Sequence, residues 1–503
     1  MSPAWGTAID RNFLVAGIIF YLPLLPAAWL ILRGVLSATP ILERHAKQIS
    51  PWIPVGLLAI FFTMTGLYWT FVSGAHSGDE GHYLVQAVSL HEDGDLDIRN
   101  NLENEIGAET VAEMDRAIFH ISPFSKEPHW YSFHAAGLPL LLAPFVPGGA
   151  PARHLVLGLI AALAAYAAWC LCRRAGASVM ASAVVLTAFF GSLYGVVYAA
   201  RGLPEMLGAG LAAWLCWCVF AQKDFPWRTA VLGGFCCAFL PWAHLRFYPL
   251  ALLGIIFYGV AAARAAEASR RKIARICLFL LIAIGGILFH KHVQDAMFVS
   301  GASYDVGSVL FSYPRGLLQV FTNETGLFNV FPLAVALIAA ALSWPFVSPS
   351  RRWMALCPGA MFAAVWLTSC GGTNYFGGDT LGGRFLLAVM PLLLPAAAVL
   401  WDRASAPARW WLLLLALVSI ALCILELIYL PQLGRSFSFP YRELPAVAPW
   451  LAGLPTPFCG PAHAIAVTAL TLLALVFRNK RAAAVTVGVI IAISLAWQIV
   501  IRM

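Results

Sequence analysis

Charged residues are scarce in this sequence: Asp, Glu, Lys and Arg make up 11% of its 503 residues, whereas soluble domains carry roughly 25%. Apolar residues fill 61% of the chain, and the mean hydropathy is +0.79. They fall in repeated blocks of about 17–22 residues, the length that crosses a bilayer as a helix. This composition excludes a secreted soluble enzyme, a nucleic-acid-binding protein and a disordered scaffold.

The 11 cysteines lack the spacing of a metal site. They form no Cys-x-x-Cys pair and have no histidine partners at zinc-site spacing. Because most of them lie inside apolar blocks, we interpret them as small packing residues. The cysteines therefore predict no metal site.

The apolar blocks predict an all-α polytopic membrane protein, a helical bundle of about 14 transmembrane helices that forms a single membrane domain over 1–503. The predicted spans are roughly 12–33, 53–73, 153–172, 177–198, 203–221, 229–248, 249–263, 275–290, 327–346, 354–370, 385–401, 411–430, 462–477 and 483–500. The first block is too long for the apolar core of a signal peptide, so we expect it to be retained as a helix.

Basic residues gather in alternate short loops, such as Arg173–Arg174 and the run from Arg264 to Arg275. Short loops rich in Lys and Arg face the cytoplasm. The remaining loops are then periplasmic. The predicted periplasmic loops are 75–152, 290–326, 371–384 and 431–461.

The loop 75–152 holds 12 of the 24 acidic residues and is the longest polar segment. Its stretches Tyr83–Leu90 and Leu102–Ile118 predict helices that lie along the membrane surface. Long polar loops are where a membrane enzyme holds its chemistry. We therefore expect the functional site on this side.

Two adjacent carboxylates, Asp79 and Glu80, follow the second predicted span. Acids just outside the hydrocarbon are suited to general-base work or to binding a cation. Partial burial favours a raised pKa for such a carboxylate. The alternative is that one of them only caps the helix that begins near Gly81.

The run Gly78-Asp79-Glu80-Gly81-His82-Tyr83, with Gly94-Asp95-Leu96 after it, resembles the acidic first-loop motif of GT-C glycosyltransferases. These are membrane enzymes of the protein-mannosyltransferase and aminoarabinose-transferase type. Further segments are similar to the bacterial members in the same order: Tyr131–Pro139, Leu203–Glu205, Thr325–Phe328 and Gly377–Phe385. The family has one span before its acidic loop, whereas this sequence has two apolar blocks there.

The resemblance implies an inverting transfer of a sugar from a polyprenyl-phosphate donor at the periplasmic face of a bacterial inner membrane. The acceptor would be a glycan, a lipid or a protein, and membrane lipids would surround the enzyme. Asp79 and Glu80 would be the catalytic acids, with Asp79 as the general base.

Arginines and lysines on the outer side are candidates for binding the donor phosphate. Arg384 follows Gly382 and Gly383, which let a ligand approach the backbone, and a guanidinium suits phosphate. Its alternative is an interfacial arginine that reaches toward headgroups. Lys291 and Arg246 are the other phosphate candidates.

Polar residues near these segments are predicted to line the substrate pocket: His82, Tyr83, His134, Glu205 and Asp379. For Glu205 an ion pair with Arg201, four residues earlier, is the alternative.

The tract 92–97 carries several carboxylates, but it does not match a calcium loop, because Ile98 stands where the turn glycine is needed. We interpret it as a solvated acidic turn and keep a bound divalent cation as the alternative. No other cofactor is predicted.

Two other functions fit a multispan protein. A transporter or flippase of lipid-linked sugars needs charged residues deep within several spans, and these spans have few. Among enzymes, the alternative is an O-antigen ligase or polymerase, which does not require the early Asp-Glu pair.

Overall fold

The computed structural model describes residues 50, 52–73, 79–103, 122, 125–220, 226–264, 270–299, 313–322, 326–347, 352–371, 383–404 and 406–433. Across these residues the regular structure is helical, with one isolated β-bridge between Ser125 and Phe298.

The α-helices are numbered in chain order. They are α1 (Trp52–Ser73), α2 (Glu80–Glu92), α3 (Arg99–Glu103), α4 (Gly137–Leu142), α5 (Gly149–Arg174), α6 (Val179–Phe190), α7 (Leu193–Ala200), α8 (Glu205–Phe220), α9 (Trp227–Ala243), α10 (Tyr248–Arg264), α11 (Arg270–Met297), α12 (Gly316–Thr322), α13 (Leu327–Val330), α14 (Leu333–Val347), α15 (Arg352–Cys370), α16 (Leu394–Arg403) and α17 (Ala406–Leu433). Short 3-10 helices cover Ala143–Gly148, Leu245–Phe247, Arg384–Leu386 and Met390–Leu393.

Within the described residues, four helical segments are long and apolar enough to cross a membrane, or five if α6 and α7, bent by 66°, form one span. The four are Trp52–Val72, Gly137–Arg174, Leu245–Arg264 and Arg270–Met297. Shorter apolar helices lie at Glu205–Phe220, Leu333–Trp344, Met354–Cys370 and Leu415–Ile428. The chain is an all-α polytopic membrane protein.

Three predicted spans differ from the structure. The block 327–346 is interrupted between α13 and α14. The block 177–198 is broken at Gly191, after which Ser192 caps α7 by accepting a hydrogen bond from the Gly195 N–H. The block 385–401 is two 3-10 helices followed by the ten-residue α16. The predicted spans 12–33, 462–477 and 483–500 lie outside the described residues, and the count of about 14 stays a prediction.

Helices α1 and α5 pack closely because small residues face each other. A Cβ on Gly158 would lie 2.6 Å from the Ala59 carbonyl oxygen and 2.5 Å from the Thr63 Oγ1. Small residues let helix backbones approach in a membrane, where packing replaces the hydrophobic effect as the attraction. This contact places the end of α1 beside the start of α5.

Helix α2 occupies the predicted surface segment Tyr83–Leu90, but it is enclosed. Ten consecutive residues, Glu80 to Ser89, are buried. An interfacial helix would instead expose its polar face to water. Enclosure of α2 brings the Asp79–Glu80 pair against the bundle.

The two ends of the bundle differ in charge. At one end Arg174 closes α5 and donates to the Phe220 carbonyl at 2.8 Å, and the Ser178 N–H donates to Asp402 at 2.6 Å. At the other end α1 and α7 finish and α5 and α8 begin. The acidic residues of the predicted site lie at this second end.

Candidate active site

Four charged residues from different segments meet at the second end of the bundle. Asp79 precedes α2, Arg201 follows α7, Glu205 begins α8 and Arg384 begins a 3-10 helix. Arg201, Glu205 and Arg384 are buried, whereas the Asp79 side chain is 27% exposed. Asp79 is therefore the group of this cluster that a substrate can reach.

Arg384 lies between two carboxylates. Its Nη1 is 2.6 Å from the Oδ2 of Asp79, and its Nε donates to the Oε1 of Glu205. A buried charge is costly unless it is paired, so each carboxylate helps to hold the guanidinium in place. The partly exposed acid and the buried acid are thus joined through one arginine.

Glu80 makes a separate ion pair. Its Oε2 is 3.3 Å from the Nη2 of Arg201, and its Oε1 accepts the Gly202 N–H at 3.0 Å. Adjacent residues of a helix point about 100° apart, so Glu80 cannot share the Arg384 partner of Asp79. Glu80 ties α2 to the turn between α7 and α8.

The capping alternative does not describe the side chain of Asp79. Asp79 occupies the N-cap position of α2, yet its carboxylate makes no capping hydrogen bond. Only its backbone carbonyl accepts from the helix, from the His82 N–H at 3.1 Å. The side chain is committed to Arg384.

Three predicted pocket residues lie together beside Asp79. The Nε2 of His134 is 3.9 Å from the Oδ1 of Asp79. The His82 ring stacks on the His134 ring with centroids 4.7 Å apart, and the Tyr83 ring is 5.1 Å away. The Asp-Glu-Gly-His-Tyr motif and the later His134 therefore build one wall of the site.

The pKa of Asp79 is lowered to about 2. Burial, the largest influence, raises it, but the charge of Arg384, that of His134 and the hydrogen bond from Arg384 together outweigh burial. The expectation of a raised pKa is therefore wrong in direction. Asp79 is an anion at every physiological pH.

The other donor-phosphate candidates differ in their surroundings. The guanidinium carbon of Arg246 is 3.4 Å from the centroid of the Phe385 ring, next in sequence to Arg384. The side chain of Lys291 is 67% exposed and pairs with Asp295 at 3.0 Å. Asp379 lies outside the described residues.

The buried phenol of Tyr83 is influenced by several charged groups of the site. Burial raises the pKa of its phenol well above the usual 10. Asp79 and Glu205 raise this pKa further, whereas Arg384 and Arg246 lower it. Arg246 thus belongs to the same electrostatic environment as the Asp79–Arg384 pair.

The carboxylates of the tract 92–97 are engaged in holding the outer loop. Asp95 accepts the Asp97 N–H at 2.9 Å, and Asp97 accepts the Trp130 N–H at 2.9 Å and lies 2.6 Å from the His129 Nδ1. In the described part of the chain no three potential ligands form a metal cluster. A cation there stays an untested alternative.

Comparison with known proteins finds neither a matching family model nor a matching curated protein. Two solved structures are similar. They are ArnT from Cupriavidus metallidurans bound to undecaprenyl phosphate and the same protein in the apo state. Both are 16% identical with a TM-score of 0.45, covering 85% of this chain and 74% or 73% of the ArnT chain. Similarity of this degree assigns neither a family nor an activity to the chain.

Sequence reasoning gave one positioning residue, Arg201, the wrong partner and missed another, Tyr194. Arg201 pairs with Glu80 rather than with Glu205, which no helical spacing indicates because 121 residues separate the two partners. Tyr194 donates its hydroxyl proton to the Gly383 carbonyl, immediately before Arg384. The sequence did contain an indication of the Tyr194 contact: a tyrosine buried in an apolar helix needs a hydrogen-bond partner for its hydroxyl group.

Proposed function

We propose that the chain is a membrane glycosyltransferase of the GT-C type. It moves a sugar from a polyprenyl-phosphate donor to an acceptor hydroxyl at the periplasmic face of a bacterial inner membrane. The observation that carries the proposal is Asp79, a partly exposed carboxylate at the ends of apolar helices, paired with the buried Arg384. The sequence resemblance of residues 78–83 to the GT-C motif supports the same assignment.

The chemistry requires a base beside the acceptor. Asp79 takes the hydroxyl proton while the hydroxyl oxygen bonds to the anomeric carbon and the bond from that carbon to the phosphate oxygen breaks. The polyprenyl phosphate leaves with the electron pair, and a single displacement inverts the anomeric carbon. An acid with a low pKa serves because the proton moves as the new bond forms.

Arg246 is the proposed ligand of the donor phosphate. Arg384 already contacts two carboxylates, so binding a phosphate there requires a partner to be displaced. Lys291 is less suitable as a phosphate ligand, because its side chain is exposed and already pairs with Asp295. Arg246 is half-buried and stacked on Phe385 beside the Asp79–Arg384 pair, where a lipid phosphate at headgroup level meets the site.

The basic helix ends support the proposed periplasmic location. Arg174, Arg264 and the run that starts at Arg270 lie at the end opposite to Asp79. Since Lys and Arg favour the cytoplasmic side, Asp79 is assigned to the periplasmic side.

A flippase is less well supported by the buried charges. In the described segments the buried charged side chains include Glu80, Arg153, Arg201, Glu205, Arg384 and Glu426. The first five lie at the Asp79 end. Glu426 is near the same end, because the carbonyl of its neighbour Leu427 accepts a hydrogen bond from Tyr68, in the last two turns of α1. A translocation path requires polar groups through the membrane depth.

Transfer by the purified chain tests the proposal. The chain is incubated with radiolabelled undecaprenyl-phosphate esters of several sugars and a membrane-lipid acceptor mixture, and the labelled product and released undecaprenyl phosphate are measured. We expect release coupled to a new glycoside. Movement of intact labelled lipid across a liposome, without any product, would instead support the flippase.

Substitution of the two acids tests the assignment of the base. Asp79→Asn is nearly isosteric, so we expect it to fold and to bind undecaprenyl phosphate, with turnover lowered by about 10²–10⁴-fold. Glu80→Gln should retain more activity but unfold at a lower temperature, because the buried Arg201 loses its ion pair. A dead Glu80→Gln beside a normal Asp79→Asn would exchange the two roles, and normal turnover in both would reject the mechanism.

A further inference from the structure

His134 lies behind the catalytic carboxylate. Its Nε2 is 3.9 Å from the Oδ1 of Asp79, whereas Arg384 contacts the other oxygen, Oδ2, at 2.6 Å. The two oxygens of Asp79 therefore face different partners. Catalytic hydrogen bonds are often long before substrate binds, and one water can bridge such a gap.

The ring of His134 is held in this orientation by aromatic contacts. His82 stacks on it, Tyr83 packs at 57° to it, and the Phe133 ring is 4.3 Å away between centroids. The side chain of His134 is 5% exposed. A ring packed on several sides cannot turn away from Asp79 without breaking these contacts.

The charged and titratable groups around His134 come from three segments. Asp79, His82 and Tyr83 lie at the start of α2, and Arg384 acts through Asp79. His244, after α9, is also within electrostatic reach of His134. Asp79 is the anion in this set that faces the imidazole directly.

We propose that Asp79 and His134 form a proton-transfer pair in which His134 receives the proton that Asp79 takes from the acceptor hydroxyl. The inference rests on the proposed glycosyl transfer. With its own proton on Nδ1, the imidazole accepts at Nε2 and becomes an imidazolium that the restored Asp79 anion stabilises. After the product leaves, the proton passes from the imidazolium back through Asp79, whose side chain is 27% exposed, to water.

The electrostatics of Asp79 agree with this direction of transfer. Burial raises the pKa of Asp79, but Arg384 together with the charges of His134 and His82 lowers it to about 2. A carboxylic acid of that strength does not retain a proton beside an imidazole, whose ordinary pKa is about 6.5. His134 is a relay residue behind the base, and it does not contact the sugar.

The pH profile of turnover distinguishes a relay from a structural role. We expect turnover of the wild-type chain to fall as the pH is lowered and the imidazole becomes protonated, because a protonated imidazole cannot accept the proton. His134→Gln should lower kcat by about 10²-fold, leave undecaprenyl-phosphate binding unchanged and remove this acid limb. His129→Gln is the matched control, because His129 also pairs with an aspartate but is exposed on the outer loop.

Histidine NMR supplies a second test that needs no donor and no folding of a His134 variant. With ¹³C-labelled histidine, the titration of His134 should move to lower pH in Asp79→Asn, because the imidazolium loses its neighbouring anion. His129, which pairs with Asp97 instead of Asp79, is the internal control in the same spectra.

The outcomes separate this inference from the proposed function. An active wild-type chain whose acid limb persists in His134→Gln overturns the relay and leaves the glycosyltransferase assignment intact. An unchanged His134 titration in Asp79→Asn overturns the pair directly. If none of the labelled donors turns over, the proposed function fails, and the NMR titration alone decides whether the two side chains are coupled.

Discussion

The side chain of Arg384 has more carboxylate neighbours than its sequence context indicates. The glycines before it favour a phosphate site, but Asp79 and Glu205 both contact the guanidinium. Two acids therefore share this one guanidinium. The ionisation of both acids therefore depends on Arg384.

Replacing Arg384 with Gln should weaken folding and raise the pKa of Asp79. Loss of the guanidinium leaves Glu205 as a buried, unpaired charge, which costs about 3–5 kcal/mol. In the wild-type chain the lowered pKa of Asp79 stabilises the fold above about pH 4, and this contribution is lost as the pH falls toward 2. In Arg384→Gln burial remains, so Asp79 should become protonated at a higher pH than in the wild type.

Thermal unfolding at several pH values measures this effect. Arg99→Gln is the control, because Arg99 lies near the exposed face of the outer loop over the Trp130 ring. If Arg384→Gln is no less stable than Arg99→Gln, the two ion pairs do not hold the site.

Residue spacing predicted part of this arrangement. The 100° between neighbouring helical positions indicates that Asp79 and Glu80 face different groups, and the structure pairs them with Arg384 and Arg201. The identity of those arginines could not be read from the sequence. Ion pairs between residues more than 100 positions apart depend on how the helices pack.

At the scale of elements, the 3-10 helix that begins at Arg384 depends on its preceding glycine. Gly383 has φ +77°, and a Cβ there would lie 3.0 Å from the Leu327 Cβ. Its carbonyl accepts the Tyr194 hydroxyl proton. This left-handed turn aims the Arg384 side chain at the two acids.

Gly383→Ala should lower both stability and turnover. The left-handed conformation costs an L-residue roughly 1–2 kcal/mol, and displacement of a catalytic group by about 1 Å can cost about 10²-fold in rate. Gly94→Ala is a matched control, because Gly94 also has φ +77° but no atom lies within 4 Å of its added Cβ. Both variants should lose similar stability in thermal unfolding, and only Gly383→Ala should lose transfer activity. Equal activities in the two variants would contradict the role of this turn.

Hydropathy predicted the uninterrupted helices but not the breaks. Helices α1, α5, α10 and α11 coincide with apolar blocks. The block 177–198 has the same composition throughout, yet Gly191 and Ser192 end one helix and begin another. Averaging hydropathy over a window hides such local signals, and the prolines at 391 and 395 interrupt the block 385–401 in the same way.

At the scale of the whole molecule, the charges are segregated along the bundle axis. The acids and arginines of the site lie where α7 ends and α8 begins, and the basic helix ends lie opposite. Alternating basic loops predicted this polarity from the sequence. A site of ionised groups at one end suits a substrate whose phosphate is at headgroup level and whose chain is in the membrane.

Cysteine labelling determines which end faces the periplasm. Glu92 ends α2 on the side of the site, Arg271 lies at the opposite end, and both are exposed. In a Cys277→Ser, Cys459→Ser background, which removes the exposed thiol among the described residues and the thiol at position 459, a membrane-impermeant maleimide should label Glu92→Cys in intact spheroplasts. Arg271→Cys should react only after lysis, because basic loops are retained in the cytoplasm. If only Arg271→Cys is labelled in intact spheroplasts, Asp79 faces the cytoplasm. That result would contradict the proposed reaction at the periplasmic face.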